Sequence, residues 1–167
     1  MAKEESFDIT TGCDLQEVDN AVNQAKREIS TRFDFKNVLA EIEYERNTAK
    51  LNIHTADEYK LDAIWQALTQ RFVARNVPLK NLTRGKVETA GQGTVRQEIT
   101  LVQAIESDLA RKIVRFIKEQ KFKKANAQVQ GDAVRVTSPS RDELQQVIQA
   151  VKGEDWGIEL KFGNFRT

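Results

Sequence analysis

Arginine or lysine lies close to phenylalanine at two places in the sequence. Residues 32–37 read Arg-Phe-Asp-Phe-Lys-Asn, and residues 163–166 read Gly-Asn-Phe-Arg. A guanidinium or ammonium group can bind a phosphate, and an aromatic ring or a guanidinium plane can stack on a base. Arg32, Lys36 and Arg166 are therefore candidate residues for binding a nucleotide. The alternative is an ordinary surface, and Phe33 and Phe35 are expected to fill the corner between a helix and a strand.

A basic run between residues 111 and 124 is the second candidate. On a helix and the loop that follows it, these charges lie within a Debye length of one another and can hold phosphates together. Three acidic residues, Glu106, Asp108 and Glu119, lie before and within this run, which fits an ordinary solvated helix face equally well. Both interpretations stay open, and the candidate nucleotide-binding residues of this run are Arg111, Arg115, Lys121, Lys123 and Lys124.

Few side chains are suited to catalysis or to metal binding. The chain has one histidine, His54, and one cysteine, Cys13, whereas a structural zinc site uses about four such ligands. No carboxylate or thiol is spaced from His54 in a way that suggests a catalytic dyad. Gly91 and Gly93 lack the third glycine and the helix of a dinucleotide-binding fingerprint. The sequence therefore predicts no catalytic residues, no metal and no cofactor.

The composition is that of a folded chain in a reducing compartment. The 167 residues are 40% hydrophobic and 31% charged, with 26 basic and 25 acidic side chains. No run approaches the ~18 consecutive apolar residues of a membrane span, and the first residues lack the apolar core of a signal peptide. Cys13 has no second cysteine with which to form an internal disulfide. We therefore expect a cytoplasmic protein without a membrane partner.

The candidate residues lie on a pattern of elements that occurs twice. Phe7 and Ile9 alternate with polar residues and predict a strand, and Asp14 begins a helix. The rest of the first half predicts two strands, a second helix headed by Thr55 and a short closing strand. The first half therefore has the order βαββαβ.

The second half repeats this order, with its last helix headed by Ser140. Similar side chains support an internal duplication, since residues 35–37 match 122–124 and residues 64–68 match 147–151. In a βαββαβ unit, two helices cover one face of an antiparallel sheet. We therefore predict an α+β protein made of two tandem ferredoxin-like (RNP-like) sandwiches. The predicted domains are residues 1–90 and residues 91–167.

The net charge of +1 is the sum of two unequal halves. Residues 1–93 carry 13 basic and 15 acidic side chains, and residues 94–167 carry 13 basic and 10 acidic ones. The second half is therefore the expected place for phosphate. Neither half places aromatic residues on its open sheet face, as an RNA-recognition motif does. RNA contact is expected instead at edges or in the groove between the domains.

Motifs along almost the whole chain resemble the bacterial YajQ family. They include Ser-Phe-Asp-Ile at 6–9, Arg-Phe-Asp-Phe-Lys at 32–36, Ala-Gln-Val-Gln-Gly-Asp at 127–132 and Asn-Phe-Arg at 164–166. The resemblance implies a small cytoplasmic protein of tandem ferredoxin-like domains that can exchange their first strands. It also implies nucleotide or nucleic-acid binding, with some members acting in regulation as cyclic di-GMP receptors. Cys13 and Trp156 depart from the family pattern.

The residues and the resemblance together predict a non-enzymatic nucleotide-binding protein with a regulatory role. The expected ligand is a guanine nucleotide, a cyclic dinucleotide such as cyclic di-GMP, or RNA, and a regulatory protein partner is compatible with this. The alternative is a protein-interaction module without a nucleotide ligand, which docks a transcription or regulatory complex through sheet edges and helix faces.

Overall fold

The computed structural model describes residues 3–167. Met1 and Ala2 lie outside the described residues; they begin the predicted first domain and the segment that is predicted not to be a signal peptide. The helices are α1 (Leu15–Thr31), α2 (Glu58–Ala74), α3 (Ser107–Glu119) and α4 (Arg141–Lys152). The strands are β1 (Glu5–Thr10), β2 (Ala40–Glu45), β3 (Lys50–Thr55), β4 (Leu82–Arg84), β5 (Glu88–Thr89), β6 (Val95–Leu101), β7 (Asn126–Gln130), β8 (Ala133–Ser138) and β9 (Lys161–Arg166).

The first strand of each half pairs with strands of the other half. β1 lies between β8 and β9, and β6 lies between β3 and β4. The chain therefore forms two compact units, a C-terminal unit of residues 3–12 with 103–167 and an N-terminal unit of residues 13–102. The limits of the two units differ from the predicted division between residues 90 and 91, because β1 and β6 are exchanged between the halves. The resemblance to the YajQ family implies such an exchange.

The C-terminal unit has an antiparallel sheet in the order β7-β8-β1-β9. Phe7 and Ile9 of β1 are fully buried and lie opposite Val136 and Val134 of β8. The apolar sides of α3 and α4 complete this core, for example through Ile113. The polar residues that alternate with Phe7 and Ile9 therefore lie on the other face of the sheet.

The N-terminal unit has an antiparallel sheet in the order β2-β3-β6-β4, with β5 also paired to β6. Leu51 of β3 lies opposite Ile99 of β6, and both are fully buried. The apolar stripes of α1 and α2, which include Val18 and Leu68, pack into the same core. Each unit thus buries one face of an antiparallel sheet under two helices, which is the α+β class predicted.

Two of the three predicted helix starts are confirmed. Asp14 and Ser140 are the N-caps of α1 and α4, since the side chain of each accepts a backbone N–H of the first turn. The prediction for Thr55 is wrong, because Asp57 caps α2 by accepting the N–H of Lys60 at 2.8 Å. Thr55 is instead the last residue of β3 and is fully buried.

The strand exchange also redistributes the charge. Residues 1–12 with 103–167 contain 13 basic and 12 acidic side chains, and residues 13–102 contain 13 of each. β1 brings Glu5 and Asp8 to the C-terminal unit, and β6 takes Arg96 to the N-terminal unit. The charge difference between the two sequence halves therefore does not hold for the two folded units. The binding site has to be located from the side chains on individual surfaces.

Candidate functional site

The eight predicted binding residues lie at three places. Arg32 and Lys36 flank the 3-10 turn Phe33–Phe35, which connects α1 to β2 in the N-terminal unit. The five residues from Arg111 to Lys124 lie on α3 and the loop after it, and Arg166 lies on β9. In the C-terminal unit, β9 and β7 are opposite edges of the sheet, and α3 packs against β7. Arg166 is therefore separated from the α3 group.

The basic residues of α3 and its loop form an exposed cationic surface. Arg111 pairs with Asp108, one turn earlier on α3. Within residues 3–167, the side chains of Arg115, Lys121, Lys123 and Lys124 have no ion-pair partner. The ring on α3, Phe116, packs edge-on against Trp156 with centroids 5.3 Å apart. This surface can attract phosphate, but that ring is not available to stack on a base.

The corner at Arg32 exposes one of its two phenylalanines. Phe35 is buried as predicted, whereas the prediction for Phe33 is wrong, because Phe33 is 88% exposed. In a 3-10 turn, with about three residues per turn, residues two apart point in different directions, so only one ring reaches the core. Arg32 donates two hydrogen bonds to Asp34, at 3.0 and 2.8 Å, and these lower the pKa of the Asp34 carboxyl.

Two residues of α2 that the sequence reasoning missed belong to the same corner. Tyr59, in the first turn of α2, is 79% exposed. Lys60 donates to the backbone oxygen of Asp34, and its Nζ lies 5.0 Å from the Phe35 ring centroid and 6.0 Å from that of Tyr59. We call this surface the aromatic corner; its residues are Arg32, Phe33, Lys36, Tyr59 and Lys60.

A cavity of about 190 Å³ lies beside Arg166, in the C-terminal unit. It is formed by the first residues of β1, the last residues of β9 and the start of α4. Phe165 is 60% exposed, and its ring centroid lies 5.9 Å from that of the buried Phe7. We call it the C-terminal cavity; the residues that matter here are Glu5, Arg141, Leu144, Gln145, Phe165 and Arg166.

Arg141 is a second arginine in the lining of the C-terminal cavity, and the sequence reasoning missed it. It follows the N-cap Ser140 and donates to Glu5 through Nε at 3.3 Å and Nη2 at 2.9 Å. The side chain of Arg141 is 73% exposed, and that of Glu5 is 18% exposed. A guanidinium has five N–H donors, so Glu5 orients Arg141 and leaves donors for a ligand.

Asp8, Arg135 and Asn164 form a polar network on the open face of the same sheet. Arg135 donates to Asp8 at 2.9 and 3.4 Å, and Asn164 donates to Asp8 at 2.6 Å. Asn164 adopts a left-handed φ of 56°, next to a register shift between β1 and β9. The hydrogen bond from Arg135 is the largest effect that lowers the pKa of Asp8, and the bond from Asn164 adds to it against the opposing effect of burial.

Replacing Asp8 with asparagine is expected to lower the free energy of unfolding by about 1 kcal/mol at neutral pH, because a charge-assisted hydrogen bond is lost. The pKa of Asp8 is lower in the folded chain than in the unfolded one. Its contribution is therefore present above about pH 4 and is lost as the pH falls through the folded value. Urea denaturation should show the two proteins converging in acid, with the exposed Glu154→Gln as control. A difference independent of pH would contradict this.

A larger groove of about 630 Å³ lies on the N-terminal unit between α1 and α2. Its arginines already have partners. Arg75 donates to Glu17 at 3.0 Å and to Gln24 at 3.1 Å, and Arg71 lies 3.5 Å from Glu28. Asp14 and Glu17 balance the two arginines in the lining of this groove, whereas the lining of the C-terminal cavity has two arginines against one glutamate, Glu5. We therefore do not assign an anionic ligand to this groove.

His54 lies on the open sheet face of the N-terminal unit. Its Nε2 is 2.9 Å from Thr94 Oγ1, and its Nδ1 is 3.9 Å from Glu41, its cross-strand neighbour on β2. Within residues 3–167, no group of three or more His, Cys, Asp or Glu side chains is placed to hold a metal ion. No helix in that range is long and apolar enough to cross a membrane.

Comparisons with known proteins identify the family. The family model described as nucleotide-binding protein YajQ-like matches residues 5–166. A protein of Koribacter versatilis named as nucleotide-binding is 51% identical over 162 residues, or 97% of each chain. Another so named, from Desulforamulus reducens, is 49% identical over 100% of this chain and 99% of its own. One from Bacillus mycoides is 49% identical over 99% of this chain and 100% of its own. The chain therefore belongs to the YajQ family.

Proposed function

We propose that the protein binds a guanine nucleotide or a cyclic dinucleotide such as cyclic di-GMP without converting it, and that this binding serves regulation. The observation that carries the proposal is the C-terminal cavity, which is lined by the exposed Phe165 together with Arg141 and Arg166. The relatives are named nucleotide-binding proteins, which supports the class of ligand.

Each side chain of the cavity has a role in this proposal. The base stacks on Phe165 and packs against Leu144. The amide of Gln145 can both donate to and accept from a base edge, as guanine requires. Arg141 and Arg166 bind phosphate oxygens, and Glu5 holds Arg141 in place.

The size of the cavity limits how much of the ligand it encloses. Pockets for complete small molecules typically have volumes of about 300–1,000 Å³. The C-terminal cavity, at about 190 Å³, encloses one base, and the phosphates and a second base would lie at its rim. A ligand held in this way remains partly exposed, so that a regulatory protein partner can recognise the bound form.

We propose further that residues 1–90 and 91–167 are two copies of one ferredoxin-like domain. Both sheets support this, because in each the strands follow the order second, third, first and fourth of a βαββαβ unit, with the first strand supplied by the other half. A cytoplasmic location and the absence of a metal or cofactor belong to the same proposal.

RNA is the second candidate ligand, and the aromatic corner is the observation that favours it. Phe33 and Tyr59 are 88% and 79% exposed, Lys60 Nζ lies 6.0 Å from the Tyr59 ring centroid, and Arg32 directly precedes Phe33 in the chain. Exposed rings next to cations are typical of surfaces that stack successive bases of a single strand. Short single-stranded RNA would therefore bind at this corner, independently of the C-terminal cavity.

Calorimetric titration tests the proposed function. We expect GMP, GTP and cyclic di-GMP to bind more tightly than AMP, with an affinity that falls as salt rises, because phosphate contacts are screened. Chromatography after prolonged incubation should recover each ligand unchanged. Absence of binding by every guanine ligand at low salt, or the appearance of a product, would contradict the proposal.

The α3 surface offers a control for the location of the site. Replacing Arg115, Lys121 and Lys123 together with glutamine should change nucleotide affinity by less than about threefold, because exposed charges distant from a ligand act only weakly. A large loss of nucleotide affinity would place the site on α3 instead.

A further inference from the structure

The outer strands of the two sheets, of which β5 has only two residues, differ in how they are protected against pairing with another chain. β2 carries Glu41, Glu43 and Glu45, so a second copy would meet like charges. β4 is only three residues long. β9 is interrupted by a register shift and by the left-handed Asn164. Charges, short length and bulges are the usual means by which proteins block an exposed edge.

β7 lacks all of these protections. Its five residues, Asn126 to Gln130, are uncharged and include no proline. It pairs with β8 on one side, and within residues 3–167 no strand pairs with its other side. Val129 is 41% exposed there, and the neighbouring polar residues of β7 are exposed as well. The outer side of β7 therefore presents backbone donors and acceptors that can extend the sheet.

The residues that flank β7 have complementary charges. The cation is Lys124, two positions before the strand, and the anion is Asp132, two positions after it, and both are exposed. In an antiparallel pair of two β7 strands centred on Gln128, all five residues pair, and Gln128 faces Gln128 of the second copy. The same pairing brings Lys124 of each copy towards the β7–β8 turn of the other, which carries Asp132.

We propose that the protein associates with a second copy of itself through antiparallel pairing of the two β7 strands. The two sheets of the C-terminal units then form one continuous sheet. Val129 of each copy packs beside Ala127 of the other, and the attraction between Lys124 and Asp132 at each end of the pair favours this register. This inference does not depend on the proposed ligand, because the C-terminal cavity lies at β9, the opposite edge of the sheet.

One electrostatic effect opposes this association. In each copy α3 packs against β7, so that pairing brings two cationic α3 surfaces closer together. The interface is also small, since a single strand from each copy forms it. We therefore expect a weak dimer that forms between micromolar and millimolar protein and dissociates on dilution.

Sedimentation velocity on nuclease-treated protein without added nucleotide tests the proposal. The mass should rise with concentration from the monomer mass of 19.0 kDa towards twice that value. Gln128→Lys should keep the protein monomeric, because it places two lysines opposite each other at the centre of the pair. Gln149→Lys, the same replacement on the exposed side of α4, should have no effect.

Charge reversal tests the register. Lys124→Glu or Asp132→Lys should each lower the association constant about tenfold, because either change brings like charges close together at both ends of the strand pair. The double variant Lys124→Glu with Asp132→Lys should restore association. A wild-type protein that stays monomeric at millimolar concentration, or a dimer that Gln128→Lys leaves intact in a folded protein, would overturn the proposal.

Discussion

Replacing Phe7 with alanine is expected to lower the free energy of unfolding by about 3–5 kcal/mol, the usual cost of removing a fully buried ring. Phe7 is 0% exposed and lies between Val136 of β8 and the rings of Phe162 and Phe165, whose centroids are 6.2 and 5.9 Å away. The loss should fall on the C-terminal unit, which contains residues 103–167. The segment that follows β1 in the chain, from Cys13 onwards, belongs to the other unit.

Hydrogen exchange with residue resolution distinguishes the two units. In Phe7→Ala, amides of β8 and β9 should exchange faster, and amides of β3 should change little. Ile99→Ala is the matched variant, because Ile99 is fully buried on β6 and lies opposite Leu51 of β3. It should show the reverse pattern, at a cost of about 2–5 kcal/mol. If Phe7→Ala loosened the sheet of residues 40–55 first, the observed strand exchange would be contradicted.

Local patterns in the sequence predicted the elements well, since each depends on residues close together in the chain. The alternation of Phe7 and Ile9 predicted a strand with one buried face, and Asp14 and Ser140 predicted helix starts that are confirmed. The alternation does not say which sheet receives a strand. β1 and β6 both present alternating buried residues, so periodicity alone fits either sheet equally well. The exchange was anticipated only through the family resemblance.

The surfaces were harder to predict because they depend on residues distant in sequence. Arg166 and Phe165 were noticed together, but Arg141 joins them only through the pairing of β1 with β8 and β9. Tyr59 and Lys60 reach the Arg32 corner only because α2 begins beside the 3-10 turn of residues 33–35. One signal was visible in the sequence: Tyr59 lies outside the apolar stripe of its helix, which includes Leu61, Ile64 and Leu68.

Replacing Phe165 with alanine is expected to raise the dissociation constant for a guanine nucleotide about tenfold or more. Stacking of a base on an aromatic ring contributes about 1–3 kcal/mol, and each 1.4 kcal/mol is a factor of ten in affinity. Arg166→Gln should have a similar effect, because a hydrogen bond to a charged group contributes about 1.5–3 kcal/mol. Titration calorimetry at fixed ionic strength measures both.

Salt separates the two roles that the proposal gives to these residues. Arg166→Gln removes a cation that contacts phosphate, so affinity should become less sensitive to salt. Phe165→Ala removes a neutral ring, so affinity should fall while its salt dependence is kept. Lys161→Gln is the matched control for Arg166→Gln: Lys161 is an exposed cation on the same strand and does not line the C-terminal cavity. It should retain nearly full affinity.

A further variant separates stacking from stability, because Phe165 also packs against Phe7. Phe165→Leu keeps an apolar side chain against Phe7 but removes the aromatic plane. It should therefore unfold close to wild type in thermal denaturation and still bind nucleotide weakly. If Phe165→Leu and Arg166→Gln are both folded and bind guanine nucleotides as tightly as the wild-type protein, the C-terminal cavity is not the nucleotide site. The aromatic corner around Phe33 and Tyr59 then becomes the surface to test.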